Sequence, residues 1–116
     1  MVKDFAFIAY SVRDVPRAVA FYRDVLGLQP GELFSDHWAE FELGGTTFGV
    51  GNGDALGMEP GASSGVSFEV DDIAATRAKL LESGANVGEV QTFPNCSFAF
   101  AQDPEGNKFA LHQRKS

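Results

Sequence analysis

The sequence predicts an α+β fold of two paired βαβββ modules within one domain of 116 residues. Three observations carry that expectation. The pattern aromatic-x-Val-x-Asp-β-branched occurs at residues 10–15 and again at 68–73, an offset of 58 residues. A helix-length segment follows each copy and ends on glycine: Asp14 to Gly27 spans 13 positions and Asp72 to Gly84 spans 12. The strand Phe48-Gly49-Val50 is answered by Phe109-Ala110-Leu111. Repeat units of this size leave an open face that a neighbouring unit must bury.

The elements follow in order. Residues 5–12 are an apolar, aromatic and β-branched run of strand length. Asp14 is a helix N-cap with Pro16 in the first turn. Val15, Ala18, Val19, Tyr22 and Val25 then recur at helical spacing up to the stop at Gly27. Residues 38–43 alternate, with Ala39, Phe41 and Leu43 on one face and Trp38, Glu40 and Glu42 on the other. Gly44-Gly45 turns the chain into a returning strand at 46–50. Residues 51–64 hold four Gly, one Pro and two Ser, and read as a linker or as a lid. The pattern restarts with a strand at 66–70, a helix at 72–83 capped by Asp72, and strands at 86–90, 96–101 and 107–112. The last two are joined by the tight turn 103–107. The modules are thus 1–50 and 65–116.

Lys plus Arg is 9 and Asp plus Glu is 16, a net charge of −7. That balance argues against nucleic acid and against an anionic membrane surface, both of which need a basic footprint. A hydrophobic content of 44% argues against disorder. The single cysteine, Cys96, excludes an intrachain disulfide and any CxxC site, and reads as a small hydrophobe. No apolar run is long enough to span a membrane, so the expected location is the cytoplasm. The glycines at 49–53 lack the Lys-Ser/Thr of a phosphate loop.

Residues 12–14, 20–28, 68–72 and 103–107 resemble the vicinal oxygen chelate superfamily, which includes glyoxalase I, fosfomycin- and bleomycin-resistance proteins and extradiol dioxygenases. The carrying motifs are Phe-Tyr ahead of Leu-Gly-Leu and Asp-Pro-Glu-Gly-Asn. The resemblance covers essentially the whole chain. It implies curved mixed sheets around a cavity, in a homodimer whose modules pair within one chain or exchange between chains. It also implies a divalent ion on the inner sheet faces, acting as a Lewis acid. The ligand positions fall here on Phe7, Gly49, Gly65 and Ala110, none of which has a donor side chain. The expectation is a member without metal or other cofactor, similar to bleomycin-resistance proteins that bind a drug without chemistry.

Strand alternation then gives the inner face: Phe5, Phe7 and Ala9, Trp38 and Glu40, Ser67 and Glu69, Phe98 and Phe100, Lys108 and His112. Aromatic faces stack flat rings and attract cations, and carboxylates pair with positive groups. Against this, Phe residues usually fill a closed core, and Glu40, Glu42 and Glu69 could be an ordinary solvated face. His112 is a candidate general base, with Glu40 as a weaker catalytic candidate. His37 reads as a surface residue. The expected function is metal-independent sequestration of a hydrophobic, aromatic or cationic small molecule, an antibiotic among the candidates. The alternative is a lyase, isomerase or dioxygenase with relocated ligands.

Overall fold

Two four-stranded mixed sheets make up the computed structural model, which describes residues 1–115 apart from the side chains of Leu33, Asp54 and Ala55. The first sheet contains β1 (Ile8–Val12), β2 (Gln29–Phe34), β3 (Trp38–Leu43) and β4 (Thr46–Asn52) in the order β1-β4-β3-β2. The second contains β5 (Val66–Glu69), β6 (Gln91–Thr92), β7 (Cys96–Gln102) and β8 (Lys108–Arg114) in the order β5-β8-β7-β6. Each has one parallel pair, β1 with β4 and β5 with β8, and is otherwise antiparallel. The expected α+β repeat is therefore realised as two similar modules.

Local chemistry sets the helix ends. Asp14 accepts from the Arg17 N–H at 3.0 Å and opens α1 (Val15–Ala20), which widens into a π-helical turn over Phe21–Val25. Asp72 accepts from the Ala75 N–H at 3.0 Å and opens the helix Ile73–Glu82, the long helix of the second module. Gly44 and Gly45 both have positive φ, 51° and 87°, as a two-residue hairpin turn between β3 and β4 demands. The helix-covered faces of both sheets share one core, which includes Tyr10, Phe41, Phe48 and Val50 from the first and Phe68, Ala99, Phe109 and Leu111 from the second. Tyr22, 0% exposed, stands at its centre and meets the rings of Phe21, Phe41, Phe48, Phe68 and Phe109.

Four details differ from the sequence reading. β1 starts at Ile8 rather than at residue 5, so Phe5 precedes the sheet and is 84% exposed. β2 was not expected, because Pro30-Gly31 breaks the strand pattern; its pairing with β3 shifts register between Pro30 and Phe34. The strand expected at 86–90 is reduced to one bridge, Val87 to Ala101, with β6 following at Gln91–Thr92. Residues 51–64 are not a loose lid. β4 runs on through Asn52, a helical turn covers Gly53–Leu56, and the remainder is a strap bonded to both modules. Ser11 Oγ donates to the Met58 carbonyl (2.9 Å), the Gly61 N–H to the Ser11 carbonyl (3.1 Å), and the Lys108 N–H to the Ser63 carbonyl (2.8 Å). Gly61 is required there, since its φ is +83° and a Cβ would lie 2.5 Å from the Glu105 carbonyl oxygen.

The turn 103–107 works as a clasp between modules. Asp103 Oδ2 accepts from the Tyr22 phenol and from Asn107 Nδ2, both at 2.9 Å. Asn107 Nδ2 also donates to the Ser11 carbonyl (3.0 Å), and its Oδ1 accepts from the Ser63 N–H (2.8 Å). Burial, with the Asp103 charge beside it, pushes the Tyr22 phenol far above its ordinary value, so it remains a donor. The Glu105 carboxylate accepts from the Arg13 and Asp14 N–H groups (2.7 and 2.9 Å) at the start of α1.

Candidate functional site

Each sheet has a second face, turned away from the helices, and cross-strand register places matching rows on the two. In the first sheet Ser11, Gly51 and Trp38 form one row and Ala9, Gly49 and Glu40 the next. In the second, Glu69, His112 and Phe98 correspond to the former row, and Ser67, Ala110 and Phe100 to the latter.

On the first face the Trp38 indole lies flat across β4. A Cβ built on Gly49 would be 2.4 Å from Trp38 Cη2, and one on Gly51 would be 2.8 Å from Cε3 and 3.0 Å from Leu56 Cδ1. The two glycines are therefore the bed of the ring; side chains there would displace it. Trp38 Nε1–H donates to Glu40 Oε2 at 3.0 Å. The half-exposed Phe7 (49%) meets the indole edge-on, with centroids 5.2 Å apart.

On the second face His112 Nδ1 bonds Glu69 Oε1 at 2.5 Å, while Glu69 Oε2 accepts from the Arg114 N–H at 2.8 Å. The His112 ring packs edge-on against Phe98 at 4.6 Å. Phe98 stacks parallel to Phe100 (6.2 Å, 11°) and is met edge-on by Phe93. Phe100 is 59% exposed. Ser67 and Lys108 are exposed on the same face, with Lys108 opposite Gln102.

The bond from His112, with a second from Arg114, holds the Glu69 carboxyl below its ordinary value of 4.5. A depressed carboxyl stabilises the fold fully above the unfolded value and loses that contribution as pH falls through the folded one. The melting-temperature gap between wild type and Glu69→Gln should thus be widest above pH 4.5 and close on acidification. A gap that grows in acid would refute this.

Of the eleven inner-face residues named from sequence, Phe5 lies outside the sheet and the other ten fall into two groups. Ala9, Trp38 and Glu40 sit on the first sheet, with Phe7, just before β1, against the indole; Ser67, Glu69, Phe98, Phe100, Lys108 and His112 sit on the second. No ring contact or hydrogen bond among the described residues joins the two groups within one chain. Sequence reasoning missed Gly51, Leu56 and Phe93. The first had a signal: glycines alternating along a strand opposite a tryptophan mark the bed of a large ring.

The residues present do not fit a divalent ion of the superfamily type. Phe7, Gly49, Gly65 and Ala110 carry no donor, and the indole fills the space that a side chain at 49 would need. Among the described residues no three His, Cys, Asp or Glu groups converge. No helix among them is long and apolar enough to cross a membrane.

Paired βαβββ modules, each presenting an aromatic sheet face away from its helix, define a glyoxalase-like fold. Residues 5–111 match the Glyoxalase/Bleomycin resistance protein/Dioxygenase superfamily, and the chain belongs to it. Among solved structures it is similar to TnmS3, an antibiotic-binding protein from Streptomyces sp. CB03234 (TM-score 0.82, 25% identity, 98% of each chain covered). A glyoxalase/bleomycin resistance protein from the same organism shares 26% identity (TM-score 0.79, covering 95% of this chain and 100% of that one). Lactoylglutathione lyase from Agrobacterium tumefaciens shares the fold (TM-score 0.78, 20% identity, 97% and 94% covered). No curated protein matches the sequence.

Proposed function

We propose that this protein binds a planar aromatic small molecule, an antibiotic among the candidates, stoichiometrically and without a metal ion. The observation that carries the reading is Trp38 lying flat on Gly49 and Gly51. The indole covers Gly49, one of the positions that the resemblance gives to a metal ligand, and ring platforms bind flat molecules by stacking. Similarity to an antibiotic-binding protein supports the same reading. The binding cleft would form in a homodimer when the Trp38 face of one copy meets the Phe98 face of another, because each face alone is half a wall.

Trp38 is the sole tryptophan, so its emission reports the site directly. Titration with daunorubicin and with bleomycin should give saturable quenching by at least one of them, unchanged by EDTA. Trp38→Ala should weaken binding at least 30-fold by calorimetry, about 2 kcal/mol for a buried aromatic anchor. Stoichiometric divalent metal in protein purified without chelator, or binding that requires it, would overturn the proposal.

One observation favours an enzyme instead. The Glu69 carboxylate fixes His112 Nδ1, which in the neutral ring leaves Nε2 as a positioned acceptor beside Phe98. That is the geometry of an oriented general base. Conversion of a bound ligand that disappears in His112→Ala, while binding remains, would replace sequestration with catalysis.

A further inference from the structure

We propose that Trp38 and Glu40 together form a cation-recognition half-site, so that the ligand carries a protonated or quaternary amine next to its aromatic ring. This rests on the binding function proposed above and narrows its ligand class. The Trp38 indole is supported on one side by the backbone of Gly49 and Gly51, and its side chain is only half-buried. Its N–H donates to the Glu40 carboxylate at 3.0 Å. Donation to a full negative charge shifts electron density into the ring, which strengthens the attraction of its face for a cation within about 6 Å.

The rest of the neighbourhood decides between a charged and a neutral ligand. Glu40 Oε2 takes the indole proton, and Oε1 has no partner among the described residues. Glu40 lines a groove of about 650 Å³ with Pro30, Gly31, Glu32 and Glu42. Among the described residues none of these three carboxylates is paired with Lys, Arg or His; Glu42 has only the Thr47 hydroxyl. A neutral ring laid over Trp38 would strip water from the Glu40 carboxylate and return nothing. A cationic centre at the ring's edge restores the lost interaction. The opposite face differs in this respect, because Glu69 there is already satisfied by His112 and by the Arg114 N–H.

The test uses two probes of equal shape that differ only in charge: 3-hydroxyphenyltrimethylammonium and 3-tert-butylphenol. Each is titrated into the full chain at pH 6.5 and followed by Trp38 emission. The cation should bind at least tenfold more tightly than the neutral phenol, and added salt should weaken only the cation. Glu40→Gln, whose amide oxygen still accepts the indole N–H, should bring the affinity ratio of cation to neutral phenol to near one. Equal binding of the two probes to wild-type protein would overturn the cation half-site while leaving the aromatic binding reading intact. No change in Trp38 emission with either probe at millimolar concentration would overturn both. The wild-type ratio and its salt dependence stand even if the variant fails to fold.

Discussion

Truncating Tyr22 to alanine should cost about 4 kcal/mol and lower the melting temperature by roughly 15 °C. The ring is 0% exposed and touches phenylalanines from both sheets, so its removal opens a cavity at the junction of the modules rather than inside one of them. Tyr22→Phe separates packing from hydrogen bonding. It keeps the ring but leaves Asp103 Oδ2 with one donor fewer, a loss of about 1–2 kcal/mol. Thermal melts of the two variants check the claim. A Tyr22→Ala protein that melts within a few degrees of wild type would show that the shared core does not depend on this ring.

Asn107→Ala should cost about 3 kcal/mol, because the side chain is fully buried and makes three bonds to three different segments. The Ser63 N–H would lose its acceptor, the Ser11 carbonyl would keep only the Gly61 N–H, and Asp103 would lose a donor. Asn107→Asp should be worse near neutral pH. It puts a second carboxylate 2.9 Å from Asp103 Oδ2, and like charges at that distance cannot both ionise cheaply. The loss should shrink as pH falls and the pair takes up a proton. Equal stability of the alanine and aspartate variants at neutral pH would contradict this account. Because Tyr22 and Asn107 share Asp103, the double variant Tyr22→Phe/Asn107→Ala should fall short of the sum of the singles.

What could be read from the sequence was local. Asp14 and Asp72 as caps, Gly27 and Gly84 as stops, and Gly44-Gly45 as a hairpin all depend on residues within a turn or two, and the structure has them in place. The α+β repeat followed from those signals because both copies use them in the same order. β2 escaped because it carries a proline and a glycine and borrows its order from β3. The clasp escaped for a different reason. Residues 103–107 were legible as a turn, but Tyr22 lies 81 positions from Asp103 and Ser11 lies 96 from Asn107. Alternation along strands names the face of Trp38, Glu40, Glu69 and His112. It says nothing of an indole bedded on two glycines, nor of a carboxylate held by an imidazole 43 residues away.

The matched rows on the two sheets carry one further consequence. Trp38, Gly51 and Ser11 occupy in the first half the places that Phe98, His112 and Glu69 occupy in the second. The repeated scaffold thus carries two different arrangements: an indole on a glycine bed beside a carboxylate with no cationic partner among the described residues, and an imidazole bonded to its own carboxylate. Since each stands on its own sheet, the binding function proposed above would let a substitution in one half retune the ligand while the other half keeps its setting. On that proposal, a chain assembled this way would change its ligand one module at a time.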